Sequence, residues 1–208
     1  MEYFTLAAKK EKGCPLAIGA MLYDKFYDKK EADKVDVGRF PWYDFHYDMV
    51  FDKELCLIVK DRLWDFDIRM ESRYFVVSSE FLALMQDFSA PIRSSAPVQV
   101  FSTSGEPIST REYHILNIIQ TPIMDIAGAD SDYELSKTGT VVRRMNRLCI
   151  KPDFVQHFIK IANTLPAICS DKFRVAAIER GVKGVDFIPL IDQSQWEEYR
   201  KRDRLIKL

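Results

Sequence analysis

The chain has 208 residues, 47% hydrophobic and 29% charged, with 8 Gly and 9 Pro. This is the composition of an ordinary globular protein, and it excludes a disordered, collagen-like or coiled-coil chain. Thirty Lys+Arg stand against 31 Asp+Glu for a net charge of −1, so no global basic field draws the chain to nucleic acid or anionic lipid.

Near the start, Lys9, Lys10 and Lys12 precede the apolar run from Cys14 to Tyr23. The run is short, is interrupted by Pro15 and Gly19 and has no convincing cleavage site, so it reads as part of the folded body and not as a signal peptide. No run approaches the ~20 apolar residues that span a bilayer. Cys14, Cys56, Cys149 and Cys169 are scattered without a CxxC pair, and three of them sit in apolar surroundings. They read as buried thiols in a reducing compartment, so the expected location is the cytoplasm.

The charged stretch 24–34 predicts a solvated loop or frayed helix. Phe40, Trp42, Tyr43, Phe45 and Tyr47 then alternate with Asp44, His46 and Asp48. Trp and Tyr anchor interfaces and an acidic rim steers a basic partner, so this segment is a candidate partner surface. The competing reading is that its rings cap the core beneath a long loop. Next comes Asp65-Phe66-Asp67. A two-residue spacing puts both carboxylates on one face of a strand, where they either hold a divalent cation or form a solvated acidic face. Asp65 and Asp67 join the candidate partner surface.

Strand-like runs are predicted at 55–59, 74–77, 98–101, 113–119 and 147–150, each β-branched or aromatic and bounded by turn residues or charge. Residues 102–107 read as a hairpin turn. Two segments share one pattern of strand, Ser cap, helix of about ten residues and second strand. In one, Phe75–Phe81 leads on to Pro97–Phe101; in the other, Ala167–Phe173 leads on to Gly184–Ile188. Ser78 aligns with Ser170 and Phe81 with Phe173 at one fixed offset, and Gly181 is placed to stop the second helix in a left-handed conformation. A last helix is expected from Ser194, with Ser194 and Glu197 as a capping box. The pattern predicts an α+β fold: a mixed or largely antiparallel sheet with two similar strand-helix-strand units and a C-terminal helix. Residues 1–72 are expected to form an irregular aromatic and acidic part packed on an α+β body over 73–208.

The search for chemistry is mostly negative. The sequence has no GxGxxG, P-loop, GxSxG or HExxH. His46, His114 and His157 stand apart from each other and from the cysteines, which argues against zinc. Asp130-Ser-Asp-Tyr-Glu134 opens like a calcium loop but has Leu135 where the sharp turn needs Gly, and Val141 where the bidentate Glu belongs. The basic tail from Arg200 to Lys207 contains Asp203 and has no stacking platform, so it reads as a solvated helix end. No metal, cofactor or catalytic residue is expected.

Several segments together resemble a known family. They are Phe75-Val-Val-Ser-Ser-Glu-Phe-Leu82, Ala96-Pro-Val-Gln-Val100, Tyr113-His-Ile-Leu-Asn-Ile-Ile119 with Met124-Asp-Ile-Ala127, Arg147-Leu-Cys-Ile150, Ala167-Ile-Cys-Ser-Asp-Lys-Phe173 and Gly184-Val-Asp-Phe-Ile-Pro189. In order and spacing they resemble the eleventh family in the numbered series of bacterial immunity proteins, formerly a domain of unknown function. The resemblance covers residues 73–190. It implies a cytoplasmic, non-enzymatic protein that binds and neutralises a cognate toxin, with no membrane or nucleic-acid partner and no residue-level binding motif. The expected surface is therefore the one read from the residues themselves: Phe40, Trp42, Tyr43, Asp44, His46, Tyr47, Asp48, Asp65 and Asp67. The alternatives are a metal-dependent hydrolase or transferase using Asp65 and Asp67, and an adaptor with several partners.

Overall fold

The computed structural model describes residues 1–43, 49–51, 53–60, 62–71, 74–109, 111–139, 141–162 and 167–190. The helix expected from Ser194, with its Ser194–Glu197 capping box, lies outside the described residues. The N-terminal third contributes β1 (Tyr3–Ala8), β2 (Ala20–Tyr23), the single turn α1 (Lys29–Ala32), β3 (Leu55–Val59) and β4 (Ile68–Glu71). There follow β5 (Tyr74–Ser78), α2 (Ser79–Asp87), β6 (Ile92–Ser102), β7 (Tyr113–Ile118) and α3 (Ile123–Ile126). The chain continues with β8 (Asp132–Leu135), β9 (Val142–Arg147), β10 (Phe158–Ile159), β11 (Ile168–Ser170), α4 (Asp171–Glu179) and β12 (Val185–Pro189).

This is an α+β fold dominated by sheet. A six-stranded sheet runs β2-β3-β6-β7-β5-β4, and its one parallel pair is β3 with β6. A four-stranded antiparallel sheet runs β10-β11-β1-β12, and β8 with β9 makes a separate hairpin. The two expected strand-helix-strand units therefore lie in different sheets. In each, the two strands flank a third that runs antiparallel to both: β7 between β5 and β6, and β1 between β11 and β12.

Period-2 alternation assigns side chains to layers. Tyr74, Val76, Tyr113 and Ile115 face a core built with Leu22, Tyr27, Phe40 and Trp42 from the N-terminal third. Their neighbours Phe75, Val77, Leu116 and Ile118 face a second core with Phe4, Leu6, Phe158 and Cys169 of the other sheet, and with the inner faces of α2 and α4. Beyond the smaller sheet, Tyr3, Ile159 and Ile168 pack on Ile123, Ile126 and Leu148. Both helices start as the sequence requires. Ser78 accepts a hydrogen bond from the Phe81 amide and Ser170 from the Phe173 amide. Phe81 and Phe173 are fully buried and meet edge to face, with ring centroids 5.9 Å apart.

The strand expected at 147–150 is displaced. The ladder runs Val142–Arg147, and Ile150 makes an isolated bridge to Ala127. Arg144 and Arg147 of β9 stand opposite Glu134 and Asp132 of β8, so charge pairing supports a strand that apolar alternation does not announce. β1 escapes the alternation test for another reason: it is a middle strand buried on both faces, with residues 3–7 all buried.

Candidate functional site

The aromatic segment closes a sheet edge. Residues Pro41–Tyr43 form a turn of 3-10 helix beside β2, an edge strand whose outer backbone groups need partners. Trp42 Nε1 donates to the Leu22 carbonyl at 2.9 Å, and the Leu22 amide donates to the Tyr43 hydroxyl oxygen at 2.7 Å. Phe40 and Trp42 stack at 4.8 Å with planes 8° apart, and both are buried. The Arg39 guanidinium lies over the Phe40 ring. Tyr43 is half-buried, and burial pushes its phenol up to about 12. Asp44, His46, Tyr47 and Asp48 lie outside the described residues.

The acidic pair is committed to internal partners. Asp67 is buried, and its Oδ1 accepts from the Ser78 hydroxyl and, at 2.8 Å, from Arg111 Nη1, while its Oδ2 accepts from the Lys183 amide at 2.6 Å. Asp65 is half-buried; its Oδ1 accepts from Arg111 Nε at 2.6 Å and its Oδ2 from Lys183 Nζ at 2.8 Å. The hydrogen bond from Lys183 and then the pairing with Arg111 hold the Asp65 carboxyl below the usual carboxylate range, against the opposing pull of burial. Every carboxylate oxygen of the pair thus has a protein donor. Among the described residues no group of His, Cys, Asp and Glu is arranged to hold a metal ion.

The network is a weld between distant stretches of chain. The Asp65 amide donates to the Gly13 carbonyl and the Asp67 amide to the Lys183 carbonyl. Buried Arg69 donates to the carbonyls of Lys9, Pro15, Ile68 and Gly184. Gly184 has no room for a Cβ, which would stand 2.9 Å from Arg69 Nη2. Of the expected surface, Phe40, Trp42, Tyr43, Asp65 and Asp67 lie among the described residues. Tyr43 shares an electrostatic neighbourhood with Glu71 and Tyr74, at the end of β4 opposite the one that follows Asp65 and Asp67. Sequence reasoning missed Arg111 and Lys183, since a cation far away in the chain leaves no spacing signal beside the acids it pairs with, and it missed Arg69, because donation to the carbonyls of Lys9, Pro15 and Gly184 follows from no local pattern.

The remaining polar clusters are smaller. At the start of α2 the Ser79 hydroxyl lies 3.2 Å from His114 Nε2 and 3.3 Å from a Glu112 carboxylate oxygen. Lys160 is buried, and burial pulls its ammonium down to about 8. Across β2, β3 and β6, Met21, Ile58 and Phe101 form a cross-strand row, with Met21 exposed and the other two half-buried.

A family model described as Immunity protein 43 matches residues 6–140, more than half of the chain. The sequence matches no curated protein. An immunity-protein family is what the sequence resembles, but the numbered family is the forty-third and not the eleventh. The match takes in the N-terminal third and stops between β8 and β9, short of the 190 that the resemblance reached. Among the described residues no helix is long and apolar enough to cross a membrane. The chain belongs to the Immunity protein 43 family.

Proposed function

We propose that this protein is a cytoplasmic immunity factor that binds one cognate bacterial toxin and neutralises it by steric and electrostatic blockade, without catalysis of its own. The carrying observation is the family match over residues 6–140. An inhibitor of this kind needs a rigid body with its polar groups satisfied, and the welded acidic network supports that reading. The partner surface is the segment from Phe40 to Asp48 together with Asp65 and Asp67. Within it the buried Phe40, Trp42 and Asp67 position the chain, and Tyr43, Asp44, His46, Tyr47, Asp48 and Asp65 meet the toxin. The metal-dependent enzyme using Asp65 and Asp67 is disfavoured, because a cation would have to displace Arg111 and Lys183 from the carboxylates.

Co-expression with the toxic product of the neighbouring gene, scored for survival and co-purification, tests the function. Rescue with a one-to-one complex is the expected result; rescue without a complex points to an enzyme that repairs the damage, and a set of several moderate partners points to an adaptor. The surface has its own test. Reversing the charge at Asp44 and Asp48 to Lys slows association about tenfold at low salt, with the effect shrinking as salt rises. An unchanged association rate and affinity rejects this surface.

A further inference from the structure

We infer that the chain is an internal duplication of one strand-strand-helix-strand module, and that β1 is the displaced middle strand of the second copy, a clasp without which that copy is incomplete. The first copy runs in space β4-β5-β7-β6 and the second β10-β11-β1-β12, with neighbouring strands antiparallel throughout both.

The correspondence extends to single hydrogen bonds. In each copy the hydroxyl of the cap serine, Ser78 or Ser170, is hydrogen-bonded to the side chain of one residue, and the serine amide donates to that residue's carbonyl. That residue is Asp67 in the first copy and His157 in the second, each just before its edge strand, β4 or β10. In each copy the serine pairs across the ladder with a tyrosine of the middle strand, Tyr113 or Tyr3. Each tyrosine hydroxyl reaches the backbone just before that residue: Tyr113 donates to the Phe66 carbonyl at 2.8 Å, and Tyr3 lies 3.0 Å from the Phe154 carbonyl and 3.3 Å from that of Gln156.

The helices α2 and α4 begin and end at equivalent positions and close alike. Ser89, at φ 50°, stands where Gly181 stands at φ 67°, and the same pair of backbone bonds follows: Ser89 to Gln86 and Ala90 to Met85, Gly181 to Ile178 and Val182 to Ala177. In the last strands Pro97 and Pro189 occupy one register position, opposite His114 and Phe4. Phe81 touches its own counterpart Phe173, the signature of a self-complementary contact about a local two-fold axis.

The copies differ in where the middle strand comes from. β7 follows β6 directly, whereas β1 arrives from the other end of the chain. The clasp also carries a defect that its counterpart lacks. Thr5 takes the position of fully buried Ile115, since each pairs with the strand residue two before the cap serine, Ile168 or Val76. Its Oγ1 is buried and has no hydrogen-bond partner. A duplication with a foreign clasp predicts two cooperative units.

Amide hydrogen exchange on the full chain tests this with two variants. Thr5→Val removes the unpaired hydroxyl from the clasp; it raises protection about fivefold in β1, β10, β11, α4 and β12 and leaves β5, α2, β6 and β7 unchanged. Leu6→Pro removes the Leu6 amide that bonds the Ala167 carbonyl; it lowers protection of the second copy more than about tenfold while the first stays within about threefold. Shifts of equal size in both copies, no shift in either, or loss of the whole fold with Leu6→Pro and a uniform gain with Thr5→Val would each overturn the inference.

Discussion

Between Ser78–Pro97 and Ser170–Pro189 the two copies place helix, helix stop and last strand alike, apart from a register shift at Ile92 where the second copy has Gly184 at φ 75°, yet only the serine, the phenylalanine and the proline are identical. Those three do what no substitute does as well: cap a helix, fill the centre between the two helices, and fix φ without needing a ladder donor. Everything else has drifted with its surroundings. In the first copy the cap serine meets a buried carboxylate that Arg111 neutralises and the Lys183 backbone amide bonds; in the second it meets His157, whose ring packs against Phe88 at 5.2 Å. The comparison teaches that the frame is set by a few backbone-directed side chains and that polar networks are local additions.

Substituting at matched positions breaks or sharpens this. The largest effects belong to the shared phenylalanines. Phe81→Ala and Phe173→Ala each cost about 3–5 kcal/mol in denaturant melts, and the double variant shows a coupling of about 1 kcal/mol. Very unequal costs would mean that one copy alone carries the core. Next is the weld. Asp67→Ala leaves Arg111 without its buried partner and costs roughly 3 kcal/mol, whereas His157→Ala costs about 1 kcal/mol; equal losses would show that the network adds nothing to the frame.

Lys160, just after β10, stands three residues beyond His157 as Met70 stands three beyond Asp67 in the first copy. Burial pulls its ammonium down to about 8, so between pH 8 and its unfolded value near 10.4 the unfolded chain binds the extra proton. Stability from this group therefore rises with pH across that window. Lys160→Met stabilises by roughly 2 kcal/mol at pH 7, and the gain shrinks towards pH 10. A gain that does not change with pH would trace it to packing. The smallest effect is at the helix ends: Ser89→Gly stabilises by about 0.5–1 kcal/mol by relieving the left-handed backbone, and Gly181→Ser costs a similar amount.

Much of the frame was legible. Ser78 with Phe81 and Ser170 with Phe173 announce the two helices, and the runs around β3, β5 and β7 are plain β-branched and aromatic segments. β1 was not, because a strand buried on both faces has no alternation, and its pairing with residues 168–189 is invisible to any local window. The site was legible in composition and not in geometry. The Phe40–Asp48 segment is unusual in sequence, but the edge-closing role of Trp42 and Tyr43 depends on Leu22, and the acidic pair depends on Arg111 and Lys183.

The place of β1 also bears on how the chain comes off the ribosome. Residues 3–8 are made before the other strands of their own sheet, β10 to β12, and yet sit at its middle. The first module can close as soon as residues up to β7 have emerged, but the second must wait for β12 with β1 held in reserve. A chain interrupted before β10 therefore displays β1 as an open strand on both edges, a ready substrate for aggregation or proteolysis, until β11 and β12 pair with it.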